Sequence, residues 1–357
     1  MTRADESLIR DIDLRERLEE ARGKFAFDIV AHSLVSQQQK RDEAVAGNAQ
    51  RNAELATMPR DTRRRATIRE IIETKPPAIG DVRHIHSVLA VCGLPYNRQP
   101  LDVRRFERSQ GQMSLVANAG ELQSPNGTWE PQPLPFGPKA RLLMMHLCSE
   151  AIRQKSAVVE IADSLTAFVR DMGFNDSGGT RGALTAFKLQ INALAACTLR
   201  IGAWDGTNAR TRIIVPFESI DVWLPSNPNQ RMLWPSTVTF SDVMYKNLER
   251  HALPVNAKAV RAFAGSARKL DLYFWLGYRL YNIQTPLRIS WEALASQFGH
   301  GFTRPRAFRA QLAEEIRHIR EVFPKLPLRL DEVGLHLEPA DPTNVLALPA
   351  LRAGKGR

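Results

Sequence analysis

Two sets of residues are spaced for chemistry. In RPRAFRAQLAEEIRHIREVF (304–323), Arg306, Arg309, Arg317 and Arg320 fall on one line when the segment is wound at ~100° per residue. Guanidinium groups in a row suit phosphate, because each offers a planar fork of donors to a phosphodiester. The second set is His84-Ile85-His86. Two imidazoles one residue apart share a strand face, and with a further ligand they could hold a metal ion beside a nucleophilic tyrosine.

The arginine row has a partner row. Phe308, Leu312, Ile316, Ile319 and Phe323 follow one another at spacings of four, four, three and four, and lie about 100° round the helix. That stripe seats the helix in a core and leaves the arginines outside. Glu314, Glu315 and Glu321 mostly fall elsewhere on the wheel, so the row is expected to keep its charge. A helix that needs only solubility mixes its signs; this one is sorted.

The histidine pair is the weaker signal. It is the metal-binding signature of rolling-circle nickases, but a three-residue pattern arises easily by chance. None of the five tyrosines stands in a Tyr-x-x-Lys arrangement. Gly354-Lys355 is followed by Gly, so there is no phosphate loop, and neither His-Glu-x-x-His nor Gly-x-Ser-x-Gly occurs. Tyr273, Phe274, Trp275, Tyr278 and Tyr281 could stack bases, yet their helical spacing among dense apolar neighbours assigns them to a core. The expectation is a chain that is not an enzyme, with no catalytic residue, metal or cofactor.

The totals agree with a polyanion partner. The chain of 357 residues carries 49 Lys+Arg against 38 Asp+Glu, a net charge of +11, within an ordinary 43% hydrophobic and 24% charged composition. The start, MTRADESLIRDIDLRERLEE, lacks the apolar stretch of a signal peptide, and LDLYFWLGYRLYNI is interrupted by Arg279, so no membrane partner is expected. Cys92, Cys148 and Cys197 are single and unclustered, which points to reduced, buried thiols in a cytoplasm.

The elements that must position the arginines recur. Residues 1–75 read as a charged N-terminal arm, helical or partly disordered, with RDTRRRATIR (60–69) as a basic tether. In a first domain, residues 76–235, a β-rich segment precedes a helix opened by Pro138 (137–155). A strand (157–162), a short helix (163–173), a helix (180–197) and a hairpin (198–204 with 211–217) follow. The proline-rich PSNPNQRMLWPS (225–236) precedes a second domain, 236–340, with the same order. It has one long helix (256–283), a strand (286–290), a Ser-capped helix (290–299), the arginine helix and a hairpin (326–339). Residues 341–357 read as a flexible tail. Helix, strand, helix, helix, hairpin is the order of a winged helix. The fold class is therefore mainly α with small β-hairpins, an α+β chain of tandem winged-helix domains behind the charged arm.

That fold presents its third helix to a major groove. The DNA-binding candidates in the second domain are Thr303, Arg304, Arg306, Arg309, Arg317 and Arg320, with Arg329 on its hairpin. In the first they are Thr180, Arg181, Thr185, Lys188 and Asn192, with Arg210 and Arg212 on its hairpin.

Several blocks carry a family resemblance. HSVLAVCGLPY (86–96), RFERSQG (105–111), LPFGPKARLLM (134–144), EAIRQKS (150–156), GGTRG (178–182), SARKLDLYFWLGYRL (266–280) and WEALASQFG (291–299) stand in order. Over residues 84 to about 340 the chain resembles RepA-type plasmid replication initiators. The resemblance implies binding to double-stranded plasmid origin DNA, often at repeated sites, and recruitment of host replication proteins such as the initiator and the replicative helicase. It also implies a cytoplasmic bacterial protein able to repress its own gene, and a homodimer is compatible with it. A winged-helix transcriptional regulator is the alternative, and a nickase stands third.

Overall fold

The computed structural model describes residues 4–75, 78–124, 126–174, 182–204, 206–220 and 237–348. The chain divides into two units, Met1–Arg64 and Arg65–Arg357. In the first, α1 (Ile12–Ala21) and α2 (Phe27–Thr57) share a small core of Ile9, Leu14, Leu18, Ala31 and Leu34. The Gln38 amide oxygen accepts the backbone N–H groups of Arg10 (3.0 Å) and Asp11 (2.9 Å), and Arg41 pairs with Asp11 and Asp13. Beyond Gln38 no residue of α2 is buried.

The stretch expected as a tether is instead helical, in α3 (Arg60–Thr74). Within the larger unit Arg65 and Ile68 of that helix are buried. Ile68 joins the main hydrophobic core, and Arg65 donates to Glu321 at 2.6 Å. Apolar residues at 68, 71 and 72 supply the face that a basic linker would lack.

The rest of the larger unit is a duplicated order of elements. The first copy runs β1 (Val82–His86), α4 (Ser87–Cys92), four strands β2 (Arg105–Gln110), β3 (Met113–Asn118), β4 (Glu121–Gln123) and β5 (Trp129–Pro131), then α5 (Gly137–Gln154). It continues with β6 (Val158–Glu160), α6 (Ala162–Asp171), α7 (Ala183–Ala196), β7 (Thr198–Trp204), β8 (Ala209–Ile214), β9 (Phe217–Ile220) and β10 (Thr237–Phe240). After α8 (Asp242–His251), the second copy runs β11 (Ala252–Asn256), α9 (Ala257–Phe263), α10 (Ala267–Asn282), β12 (Leu287–Ser290), α11 (Trp291–Phe298), α12 (Pro305–Val322), β13 (Leu328–Leu330) and β14 (Gly334–Leu337). A short α13 (Pro342–Val345) closes it.

Strand pairing repeats in one small sheet of each copy. One sheet has the order β6–β10–β9 and another β12–β14–β13, so in each the strand before the two middle helices pairs with the last strand of its copy. β1 and β11 pair antiparallel, with His84 opposite Pro254, and join the two copies directly. The fold is thus mixed α+β, with small sheets between helices.

Three expectations are corrected here. The segment 256–283 is two helices, because Gly265 breaks it and the Ser266 hydroxyl caps α10 by accepting the N–H of Lys269 (3.3 Å). The hairpin of 198–217 forms, but it extends a four-stranded sheet β2–β3–β7–β8 and does not close the helix, strand, helix, helix, hairpin order of its copy. β9 and β10 take that place, and β7–β8 is an insertion. Finally, residues 341–348 are packed: Leu346, Ala347 and Leu348 are buried, and the Asn256 side chain donates to the Ala347 carbonyl at 3.1 Å.

The main core lies along α5 and α10. Met144, Met145 and Cys148 are buried on α5; on α10 Tyr273, Phe274 and Trp275 are fully buried, and Tyr273 stacks on Phe323 (5.7 Å between rings). All three cysteines are free and buried, and burial pushes each thiol up to about 12. No helix among the described residues is long and apolar enough to cross a membrane.

Candidate nucleic-acid interface

α12 begins because Pro305 sits at its first turn, where a missing N–H costs nothing. It is held because Phe308, Leu312, Ile316, Ile319 and Phe323 are all buried. Phe308 meets the rings of Phe302 (5.7 Å) and Trp291 (6.4 Å). From inside, Arg268 of α10 fixes the turn between α11 and α12: it donates to the Phe298 carbonyl (3.2 Å) and pairs with buried Glu315 (3.3 Å). Burial pushes the Glu315 carboxyl up, against the pull of Arg268.

The outward face carries Thr303, Arg304, Arg306, Arg309, Arg317 and Arg320, every one exposed. They are not equivalent. Arg309 lies over the Trp291 ring, 5.2 Å from its centroid, and the indole N–H in turn donates to the Asp331 carbonyl (2.9 Å). This ties the start of α12 to the β13–β14 turn. Arg317 is neutralised, contrary to the expectation of a fully charged row. It pairs with Glu314 at 2.6 Å and with Glu321, one turn before and one after. The Arg317 guanidinium holds the Glu314 carboxyl down to about 2. A helical wheel separates Glu314 and Glu321 from the row in angle, but long side chains at spacings of three and four reach across. Arg304, Arg306 and Arg320 have no carboxylate partner among the described residues. Arg320 faces Leu328 and Arg329 across a groove between α12 and β13.

Arg329 is exposed and pairs with Asp331 at 3.4 Å. Strand order adds a residue with no spacing signal in the sequence: Arg288 on β12 and Arg329 on β13 both stand opposite His336 on β14, so the two arginines flank one histidine on one sheet face.

The first copy is different. Thr180 and Arg181 lie outside the described residues. Thr185, Lys188 and Asn192 are on α7 and only half-exposed, and burial pushes the Lys188 amine down. α7 packs on α5, and its Gln190 is buried, accepting the backbone N–H of Phe136 at 2.8 Å. Arg210 and Arg212 are exposed on β8, the edge strand of the inserted hairpin's sheet.

Of the histidine pair, His86 serves the fold. His86 caps α4: its Nδ1 accepts the Val88 N–H (3.2 Å) and its Nε2 meets Asn247 Oδ1 (2.9 Å), so both ring nitrogens are engaged. Burial pushes His86 down to about 4, favouring the neutral ring.

Residues 134–293 match the family described as plasmid encoded RepA protein, a narrower span than the blocks at 84–340 but the same family. None of the curated proteins matches the chain. Among solved structures, domains 2 and 3 of RctB, determined as selenomethionine derivatives, align over 71% of this chain and 98% of that one, with 10% identity and a TM-score of 0.43.

Proposed function

From the match of residues 134–293 to the family described as plasmid encoded RepA protein, we propose that the chain is a plasmid replication initiator that binds origin DNA and acts without catalysis. The observation that carries the DNA part is α12, an exposed helix whose Arg304, Arg306 and Arg320 have no carboxylate among the described residues. The repeated helix–strand–helix–helix–strand–strand order, with like strand order in both small sheets, supports two winged-helix domains. In that fold α12 enters the major groove of double-stranded DNA. Its first turn, with Arg306, meets base edges, and Arg320 and Arg329 neutralise phosphates.

The rest of the role follows from the family: recruitment of host initiator and replicative helicase, action in the bacterial cytoplasm, and repression of its own gene. A gel shift on the DNA flanking that gene, with and without magnesium or manganese, tests the reading. Binding to repeated sites without cleavage is the expected result. A single promoter operator would favour a transcriptional regulator, and a metal-dependent nick would overturn the non-catalytic role.

A further inference from the structure

Arg317 is one guanidinium held between two carboxylates, Glu314 and Glu321. On their own these three side chains would leave a surplus negative charge in the middle of the arginine row. Glu321 also lines the groove between α12 and β13, the one acid among its described lining residues, beside Arg317, Arg320 and Arg329. A free carboxylate there would repel the phosphates that the arginines attract.

A fourth side chain cancels that charge from inside the protein. Arg65 of α3 is buried, its side chain 6% exposed, and its Nε donates to Oε2 of Glu321 at 2.6 Å. Oε1 of the same carboxylate accepts from Arg317. Glu321 is thus gripped on both oxygens, by a cation too enclosed to reach DNA and by one that faces solvent. α3 fixes the inner cation: Arg65, Ile68 and Ile72 recur at spacings of three and four, and both isoleucines pack on the main core. A buried ion pair adds little stability over apolar side chains of similar volume. The consequence of this one lies at the surface, where it offsets the acid that shares a groove with Arg320.

We propose that Arg65 is a positioning residue for the α12 surface: it holds Glu321 inward and cancels its charge, so that the docking of α3 is coupled to DNA binding. This rests on the reading of α12 as a DNA-contacting helix. With α3 undocked, Glu321 turns to solvent beside Arg317 and Arg320 and opposes phosphate. Linkage is reciprocal, so DNA on α12 tightens α3 on the core.

The test is binding of the full chain to a duplex of arbitrary sequence across a salt series. Arg65→Gln should bind more weakly than the wild type and flatten the slope of log K against log salt by up to about one unit. Glu321 is 32% exposed and water can solvate it, so this variant should keep its fold, verified by a thermal melt. Arg69→Gln removes an exposed arginine, paired with Glu73, from the same helix and should leave affinity and slope unchanged. Arg65→Gln/Glu321→Gln should recover the wild-type slope, because the surplus charge is gone; a purely structural role for Arg65 would not be rescued in this way. Amide exchange of the wild-type chain needs no variant, and duplex should slow it in residues 65–74. Wild-type binding by Arg65→Gln, an equal loss in Arg69→Gln, no recovery in the double variant, or exchange in 65–74 indifferent to DNA overturns this inference alone. No duplex affinity in the wild type, or an unchanged slope in Arg320→Ala, overturns the reading of α12 and this inference with it.

Discussion

Arg141 on α5 and Asp271 on α10 bind each other face to face in the core: Nε donates to Oδ1 at 2.5 Å and Nη2 to Oδ2 at 2.7 Å, with both side chains 3% exposed. The pair links the two copies, and buried Arg108 of β2 adds a contact to Oδ2 at 3.3 Å. A buried ion pair with apolar surroundings adds little net stability, but removing one partner strands the other charge. Asp271→Ala, which leaves two buried arginines without their carboxylate, is expected to cost about 3–5 kcal/mol in urea unfolding. A variant within half a kilocalorie of the wild type would show that the pair does not hold the copies together.

On α12 the arginines separate by partner. Arg320→Ala should flatten the salt slope of DNA binding by about one unit. Arg317→Ala should change it much less, because Glu314 and Glu321 already offset that charge. If Arg306 makes a bidentate guanine contact, Arg306→Ala should cost ~1–3 kcal/mol and relax preference at one base position, read by competition among variant duplexes. Equal slopes for the Arg317 and Arg320 variants would contradict the ion-pair geometry.

Two core truncations distinguish packing from binding. Phe308→Ala is expected to destabilise by roughly 3–5 kcal/mol through a cavity under α12. Leu348→Ala should cost about 2–5 kcal/mol, because its side chain is 1% exposed and lies against α10 at Gly277. Calorimetric melting measures both, and a silent Leu348 variant would mean that the last segment is not part of the core.

Acid sensitivity follows from His86, held at about 4 by burial against an ordinary 6.5. The unfolded chain takes up the proton first as pH falls, so the stability tied to the neutral ring is complete above ~6.5 and lost towards ~4. The amount is on the order of 3 kcal/mol. His86→Asn keeps a capping acceptor for α4 and removes the titration. Its stability should fall less steeply over that window than the wild type's, with buried His146 contributing the same background to both. Parallel pH curves would remove His86 as the cause.

Local signals carried much of the architecture. Ser290 before α11, Pro305 at the head of α12 and Pro138 at the head of α5 mark real starts, because caps and prolines act over one turn. The apolar stripe of α12 is buried as its spacing requires. What escaped is non-local or depends on side-chain reach. Nothing in TLRIGAW says that it will pair with β3 rather than β6, since either edge accepts the same alternation. The neutralisation of Arg317 needs rotamers, and the convergence of Arg288 with Arg329 on His336 needs strand order. Half-burial of α7 depends on what covers it, which its own residues do not record.

The pairing of β1 with β11 also governs how the chain emerges from a ribosome. β1 is made early, yet its partner strand is complete only when Asn256 has left the exit tunnel. At roughly 5–20 residues per second the nascent first copy waits on the order of ten seconds or longer with one strand edge open. An open edge invites pairing with other chains. Co-translational exposure, more than the stability of the finished fold, is therefore where overproduction of this protein should lose material to aggregation, and slower initiation or a lower growth temperature should recover it.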